Sequence, residues 1–487
     1  MGKKFYITTA LDYVNAEPHL GHVLEKIQAD VIARFHRLKG EEVLFLSGTD
    51  EHGVKVKRAA EAAGMNPREF VDMMAEKFKQ LKDIFNLSYD DFIRTTDEKR
   101  HYPAVRAIWQ KLVSSGDIYK KKYRGLYCVG HEAFITEKDL EDGLCRDHQV
   151  KPEVIEEENY FFRLSKYSSK IGSLIKSGEL LILPEGRRNE ILSLIQGEGL
   201  EDVSFSRPRK DLEWGIPVPE DDTHTIYVWA DALTNYLSAL DYPDQEFLKW
   251  WPAEVHLIGK DILRFHAGIW PGMLLSAGLP LPKSIFAHGF ITVQGRKMSK
   301  TVGNIVDPVE LSKKYGAEPL RYYLLKEIPS SADGDFSLER FKDVYESDLA
   351  NGLGNFASRV LTLGLQLGEF NADFKDIEAE VREKIDFTKK TVEEKINSFK
   401  LNEAMQAIMA LVAFGDFYVN KNEVWAIKDQ GLKKKAILNL IVILDNISAA
   451  LSPFLPKTAE KITQNIVWLS EETLEIKKGE VLFPRLL

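Results

Sequence analysis

The chain has 487 residues, 44% hydrophobic and 29% charged, with a formal net charge of −9. That length exceeds a single core and predicts roughly three domains, and the acidic balance argues against a non-specific nucleic-acid coat protein while allowing a specific RNA partner on local basic patches. Two cysteines cannot staple a protein of this size, no apolar run approaches a membrane span, and Met1-Gly2-Lys3-Lys4-Phe5 lacks the apolar core of a signal peptide, so the expected setting is the cytoplasm, with no membrane and no DNA partner.

Phe5-Tyr6-Ile7-Thr8-Thr9 is aromatic and β-branched and predicts a strand. Leu24, Ile27, Val31 and Phe35 follow at helical spacing, and Val43-Leu44-Phe45-Leu46 predicts a second strand ending in Ser47-Gly48-Thr49-Asp50. Strand, helix and strand in that order make a βαβ unit of a parallel sheet, which binds ligands at the carboxyl ends of its strands. From about 116 to 225 the texture changes. Both cysteines, the run Glu156-Glu157-Glu158 and many charged turns mark an insertion into the sheet domain. Strand-like segments return at Thr225-Ile226-Tyr227-Val228-Trp229, at Glu254-Val255-His256-Leu257-Ile258-Gly259 and at Ser284-Ile285-Phe286-Ala287-His288. Beyond about 345 strand signals nearly vanish. Ile408, Leu411, Val412, Gly415 and Tyr418-Val419, then Ile437, Leu440, Ile441 and Leu444, repeat with helical period. The basic clusters Lys120-Lys121-Lys122-Tyr123-Arg124, Arg207-Pro208-Arg209-Lys210 and Lys433-Lys434-Lys435 read first as solvated surface.

Two constellations carry chemistry. Pro18-His19-Leu20-Gly21-His22 lies where the first helix begins. A helix N-terminus offers unpaired N–H groups and partial positive charge to a phosphate, Gly21 lets a group approach the backbone, and His19 and His22 are placed to hydrogen-bond it. Far downstream, Gly295-Arg296-Lys297-Met298-Ser299-Lys300-Thr301 sets two lysines around small polar residues on a glycine-bearing loop, which suits a clamp on polyphosphate. A third cluster, Cys128-Val129-Gly130-His131 with Cys145-Arg146-Asp147-His148, offers two thiolates and two imidazoles for tetrahedral Zn²⁺.

The first two motifs together resemble the paired His-Ile-Gly-His and Lys-Met-Ser-Lys-Ser signatures of class I aminoacyl-tRNA synthetases, here with Leu20 and Thr301 as conservative departures. The surroundings resemble the methionyl-tRNA synthetases over nearly the whole chain. Ala10-Leu11-Asp12-Tyr13-Val14-Asn15-Ala16-Glu17-Pro18, Ser47-Gly48-Thr49-Asp50-Glu51-His52-Gly53, Trp229-Ala230-Asp231-Ala232-Leu233, Gly259-Lys260-Asp261-Ile262-Leu263-Arg264-Phe265-His266 and His288-Gly289-Phe290 carry the match, in order.

The resemblance implies an α/β fold: a Rossmann-like parallel-sheet catalytic domain (1–115 and 226–290), a connective insertion (116–225) with a zinc knuckle at about 123–150, a connecting segment (291–345) with the lysine loop, and an all-α anticodon-binding domain (346–487). It further implies a methionine–tRNA ligase that makes methionyl-adenylate from L-methionine and ATP and charges the methionine tRNA, initiator and elongator, with Mg²⁺ accompanying ATP and one structural Zn²⁺. In that reading Leu11, Tyr13, Trp229, Ala232, Tyr236 and His288 line the methionine side chain, and Asp50 holds its ammonium group. His19, Gly21, His22, Gly259, Asp261 and Lys300 bind ATP, while His19, His22, Lys297 and Lys300 act on the phosphates. Cys128, His131, Cys145 and His148 hold the zinc, and Asn355, Arg359 and Trp425 read the anticodon. Two other readings stay open at this stage: a class I synthetase for another amino acid, which usually carries a larger editing insertion, and a non-catalytic tRNA-binding relative.

Overall fold

The strands Val255–Gly259 and Ser284–His288 inside the main sheet are buried end to end, as a parallel sheet covered on both faces requires. The structure, a computed structural model, describes residues 2–146, 149–197, 199–298, 304–470 and 473–486. The main sheet runs in the order Leu181–Leu183, Ser284–His288, Val255–Gly259, Lys4–Thr9, Glu42–Asp50 and Asp12–Tyr13, with Asp91–Arg94 also paired to Glu42–Asp50; every pairing is parallel. From the central Lys4–Thr9 strand the chain builds first towards Glu42–Asp50 and later towards Val255–Gly259. The order therefore reverses between Lys4–Thr9 and Val255–Gly259, and the crevice at their carboxyl ends is the topological switch point where such sheets bind ligands.

The chain divides into two compact units. The first, Met1–Pro18, Gly40–Asp83 and Ser88–His288, holds the parallel sheet. It also holds an antiparallel sheet of Val203–Ser204, Glu153–Phe162, Ile118–Cys128 and Ala133–Ile135. Its long pair sets the basic strand against the acidic one, Lys122 opposite Glu158 and Arg124 opposite Glu156, so those cross-strand charges are complementary. Two expectations change. Leu181–Leu183, inside the expected insertion, is the edge strand of the parallel sheet. The segment from Thr225 to Trp229 is not one strand: Asp221–Ile226 is the strand, and Val228–Ala232 is already helical.

The second unit comprises His19–Lys39, Ile84–Leu87 and Gly289–Leu487. Arg321, fully buried, ties it together: its guanidinium donates to Asp30 Oδ2 at 2.7 Å, to the Phe85 carbonyl at 2.9 Å and to the Phe454 carbonyl at 2.8 Å. A buried guanidinium is tolerable only when its donors are used in this way. The helices Asn355–Leu365, Ala379–Asn397, Leu401–Lys421 and Gln430–Leu451 build the C-terminal part. It is not wholly helical, because Phe370–Asn371, Thr473–Ile476 and Ile466–Trp468 make a small antiparallel sheet. Among the described residues no helix is long and apolar enough to cross a membrane.

Candidate active site

Asp50 ends its strand with its carboxyl group buried, and Oδ1 has no hydrogen-bond partner among the described residues. Burial, then the neighbouring Asp231 and Glu132, push this carboxyl well above the usual carboxylate range. A lone carboxylate oxygen in such a place is costly unless a cation completes it. Tyr13 is its register neighbour on the adjoining strand.

Asp231 contrasts with it. Its Oδ2 is 2.7 Å from His52 Nδ1 and its Oδ1 is 2.7 Å from His101 Nε2. Burial alone would raise this carboxyl, but His52 and His101 outweigh burial and hold it below its ordinary value. Asp231 is thus satisfied, and it anchors the short helix that carries Trp229 and Ala232 to the segment following Asp50.

Trp229 stacks on Phe265 with ring centroids 3.8 Å apart, and Tyr236 stacks on His256 at 4.0 Å. Leu233 and Thr234 keep helical dihedrals between the turns Val228–Ala232 and Asn235–Ser238, so the one-face spacing of Trp229, Ala232 and Tyr236 is retained. The Tyr236 hydroxyl meets His266 Nε2 at 2.7 Å. His266 and Phe265 belong to the wide-turn helix Phe265–Ile269, a geometry frequent at functional sites. Sequence reasoning placed His266 in a motif and gave it no role. Its only signal was proximity to Asp261, since the wide turn removes the usual periodicity. Leu11 covers Gly48, where a Cβ would lie 2.7 Å from Leu11 Cδ2 and 2.1 Å from the Ile93 carbonyl oxygen.

Gly259 and His288 end adjacent strands in register. A Cβ on Gly259 would lie 2.8 Å from Asp261 Oδ1 and 3.9 Å from His288 Nε2. His288 therefore stands beside the residues expected to meet adenosine, on the opposite side of the central strand from Asp50 and Tyr13. Asp261 lies inside the turn Lys260–Ile262, whose cap is Gly259.

In the second unit, His19 caps the helix Leu20–Leu38. Its Nδ1 accepts from Gly21 N at 3.1 Å, His22 Nδ1 accepts from His19 N at 3.1 Å, and the two rings stack at 3.8 Å. Both Nδ1 atoms being acceptors, each neutral ring carries its proton on Nε2, the tautomer that donates. Burial and Lys26 lower the His22 pKa to about 3, so it is a neutral donor at ordinary pH. The space expected at Gly21 for a ligand is partly filled by His19: a Cβ there would lie 2.9 Å from His19 Cε1.

The lysine loop opens on a hairpin, Ile291–Val293 with Arg296–Lys297, whose Gln294 and Gly295 both have positive φ, as a two-residue turn of this kind requires. Asp335 Oδ1 fastens it, accepting from Gly295 N at 2.8 Å and Thr292 Oγ1 at 2.7 Å. Lys297 lies on this hairpin, while Lys300 lies outside the described residues.

Cys128, His131 and Cys145 bring their ligand atoms within 4.8 Å of one another, and Cys145 Sγ is 3.6 Å from His131 Nδ1. An S–N edge of a tetrahedron about Zn²⁺ measures about 3.6 Å from ordinary Zn–S and Zn–N lengths. The donor set fits a tetrahedral cation. Burial and the adjoining Cys145 push the Cys128 thiol up, an effect a divalent cation reverses. His148, the fourth expected ligand, lies outside the described residues.

Asn355, exposed, and Arg359, half-buried, share one face of their helix. Arg359 donates to Asp416 Oδ1 at 3.2 Å and Asn420 Oδ1 at 2.8 Å, and lies 5.8 Å over the Trp425 ring. Trp425 is 55% exposed, so its ring is not packed into the core. Asp416 and Asn420, which set the Arg359 guanidinium, were not foreseen.

Comparison with known proteins accords with this arrangement. The model for tRNA synthetases class I (M) matches residues 5–146 and 136–361, and that for the anticodon-binding domain of tRNA ligase matches 378–484. These matches and the parallel sheet define a class I aminoacyl-tRNA synthetase. The methionine–tRNA ligase of Brucella suis is 44% identical over 472 residues, covering 94% of this chain and 91% of its own, and that of Caldanaerobacter subterraneus is 43% identical over 517 residues, covering 100% and 79%. A Mycobacterium tuberculosis methionyl-tRNA synthetase in complex with methionyl-adenylate superposes with a TM-score of 0.93 at 38% identity, covering 99% of this chain and 100% of the other. The chain belongs to the methionyl-tRNA synthetase family, the methionine–tRNA ligases.

Proposed function

We propose that the chain condenses L-methionine with ATP and transfers the methionyl group to the 3′ end of methionine tRNA through the residues described above. The observation that carries the assignment is the buried, unpartnered Oδ1 of Asp50, at the strand end beside Tyr13 and fitted to a substrate ammonium. Leu11, Tyr13, Trp229, Ala232, Tyr236 and His266 form the side-chain slot. Its polar atoms already have partners, Tyr236 with His266, Tyr13 with Glu132 and the His52 carbonyl, and Trp229 with the His131 carbonyl, so a thioether, polarisable and a poor hydrogen-bond acceptor, leaves none of them unsatisfied. His288 stands where the amino acid meets the nucleotide.

A methionine carboxylate oxygen attacks the α-phosphorus of ATP, the bond to the β-phosphate oxygen breaks, and pyrophosphate leaves. A ribose hydroxyl of the tRNA 3′ end then attacks the acyl carbon, AMP leaves, and the hydroxyl proton is released. No covalent enzyme intermediate is required. Gly259 and Asp261 meet the adenosine, while His19, Gly21 and His22, with Lys297 and Lys300, serve the phosphates. These groups act by positioning and by stabilising charge in the transition state. Mg²⁺ accompanies ATP. Cys128, His131, Cys145 and His148 hold one structural Zn²⁺, which supplies folding energy to the knuckle.

Asn355, Arg359 and Trp425 read the anticodon shared by initiator and elongator methionine tRNAs, and the enzyme works in the cytoplasm. The expected boundaries, a catalytic domain over 1–115 and 226–290, an insertion, a connecting segment and an anticodon domain, are kept, with Leu181–Leu183 assigned to the catalytic sheet. Charging of a methionine tRNA transcript with labelled methionine, beside a transcript with a changed anticodon, tests the reading. Methionyl-tRNA should form on the first alone, and equal charging of both removes the anticodon assignment.

A further inference from the structure

The turn that follows Cys128 and carries His131 and Glu132 reaches the aromatic walls of the slot. Glu132, next to His131, is buried and holds a left-handed backbone with φ 50°, a conformation that a residue with a side chain adopts at a cost. Its Oε2 lies 2.6 Å from the Tyr13 hydroxyl, and its Oε1 accepts from Lys55 N at 2.9 Å. Lys55 belongs to the first turn of the helix Val54–Ala62, whose cap residue, Gly53, has no side chain to offer. A Cβ at Gly53 would lie 2.5 Å from Glu132 Oε1 and 2.6 Å from the Tyr13 hydroxyl, so a glycine there makes room for this contact. The Tyr13 hydroxyl is also 2.8 Å from the His52 carbonyl, and the His131 carbonyl accepts from Trp229 Nε1 at 3.4 Å.

We propose that Glu132 is a positioning residue for amino-acid recognition, presented by the knuckle turn to fix Tyr13 at the mouth of the slot while the neighbouring His131 carbonyl orients Trp229. This rests on the methionine reading of the slot. The strained backbone and the buried carboxyl group are both features a surface turn would not retain, and together they link a metal-holding loop to Tyr13 and, through Lys55, to the helix following Asp50. Glutamine is an informative substitute. Its carbonyl can accept from Lys55 N and its amide can donate to Tyr13, whose own proton then goes to the His52 carbonyl.

Glu132→Ala and Glu132→Gln should be compared with the unaltered full chain for methionine and ATP separately, by equilibrium dialysis of labelled methionine and by steady-state exchange, with metal content measured on each preparation. Glu132→Ala is expected to weaken methionine binding more than tenfold with the KM for ATP within twofold and metal retained, and Glu132→Gln to stay within threefold of the unaltered chain. Tyr13→Phe should weaken methionine binding, and adding it to Glu132→Ala should weaken binding little further. A merely structural Glu132 would instead lower the melting transition and impair both substrates alike. The proposal is overturned by that pattern, by methionine binding within twofold in Glu132→Ala, or by Glu132→Gln as weak as Glu132→Ala. Failure of the unaltered chain to exchange with methionine would instead refute the functional reading itself.

Discussion

The Tyr236 hydroxyl lies 2.7 Å from Nε2 of His266, and the other ring nitrogen, Nδ1, lies 3.0 Å from the Ile262 carbonyl. A carbonyl only accepts, so Nδ1 carries the ring proton and Nε2 accepts from Tyr236. Protonating Nε2 would reverse that bond and displace the Tyr236 proton inside a buried slot, and burial lowers the His266 pKa to about 4.

The sign of the resulting pH dependence follows from linkage. Above about pH 6.5 the ring is neutral in folded and unfolded chains and contributes nothing; below it the unfolded chain takes up a proton that the folded chain refuses. Stability is therefore lost as pH falls from about 6.5 to about 4, by roughly 1.4 kcal/mol per pH unit through this residue. His22 and His256, also lowered by burial, act in the same direction, while Asp50, raised by burial, opposes them. His266→Gln removes one titrating group. Urea unfolding at several pH values should show the variant less stable at pH 7, with the gap narrowing by about 3 kcal/mol towards pH 4. A constant gap would contradict the neutral ring.

Asp50→Asn separates binding from folding. The unaltered chain buries a carboxyl oxygen without a partner among the described residues, and removing its charge relieves that cost. The ligand-free variant should melt at or above the temperature of the unaltered chain. Methionine binding should fall by about a hundredfold, since a charged hydrogen bond to a buried partner contributes roughly 3 kcal/mol. A variant that melts lower yet binds methionine normally would remove Asp50 from the ammonium role.

For the knuckle, protein never exposed to chelator should contain about one zinc per chain. Cys145→Ser should lose it. Hydrogen exchange should then accelerate over residues 126–146 more than ATP binding weakens, because metal binding in such a loop is folding energy. Metal-free protein with a protected knuckle would refute the assignment.

Trp425→Ala tests the anticodon surface. At 55% exposure the side chain contributes little to the core, so the melting transition should stay within ~0.5 kcal/mol of stability. Stacking of a base on the ring contributes roughly 1–3 kcal/mol, and loss of contacts set by Arg359 adds to it. Charging should fall by well over tenfold with adenylate formation intact. Unchanged charging by the folded variant would sink the stacking role.

How far the fold could be read in advance depended on the length of each pattern. Lys4–Thr9, Glu42–Asp50 and Val255–Gly259 were legible because central parallel strands are continuous apolar runs between turn residues. Leu181–Leu183 is three residues long, too short for any period to show, and Thr225–Trp229 is an apolar run that period alone cannot divide between strand and helix. Asp50 was legible as a polar residue at a strand end. His266 was not, because the wide turn Phe265–Ile269 hides its phase, and Glu132 was not, because its partners Tyr13 and Lys55 lie 119 and 77 positions away.

The central claim is that this chain activates methionine. ATP–pyrophosphate exchange with each of the twenty amino acids, at saturating Mg·ATP, tests it most directly because reaction type and substrate are read together. Methionine should drive exchange at least about a hundredfold better than valine, isoleucine or leucine, the order of discrimination that a well-matched apolar slot supplies. Exchange driven best by another amino acid, or none with methionine in active-site-titrated protein, would contradict the account.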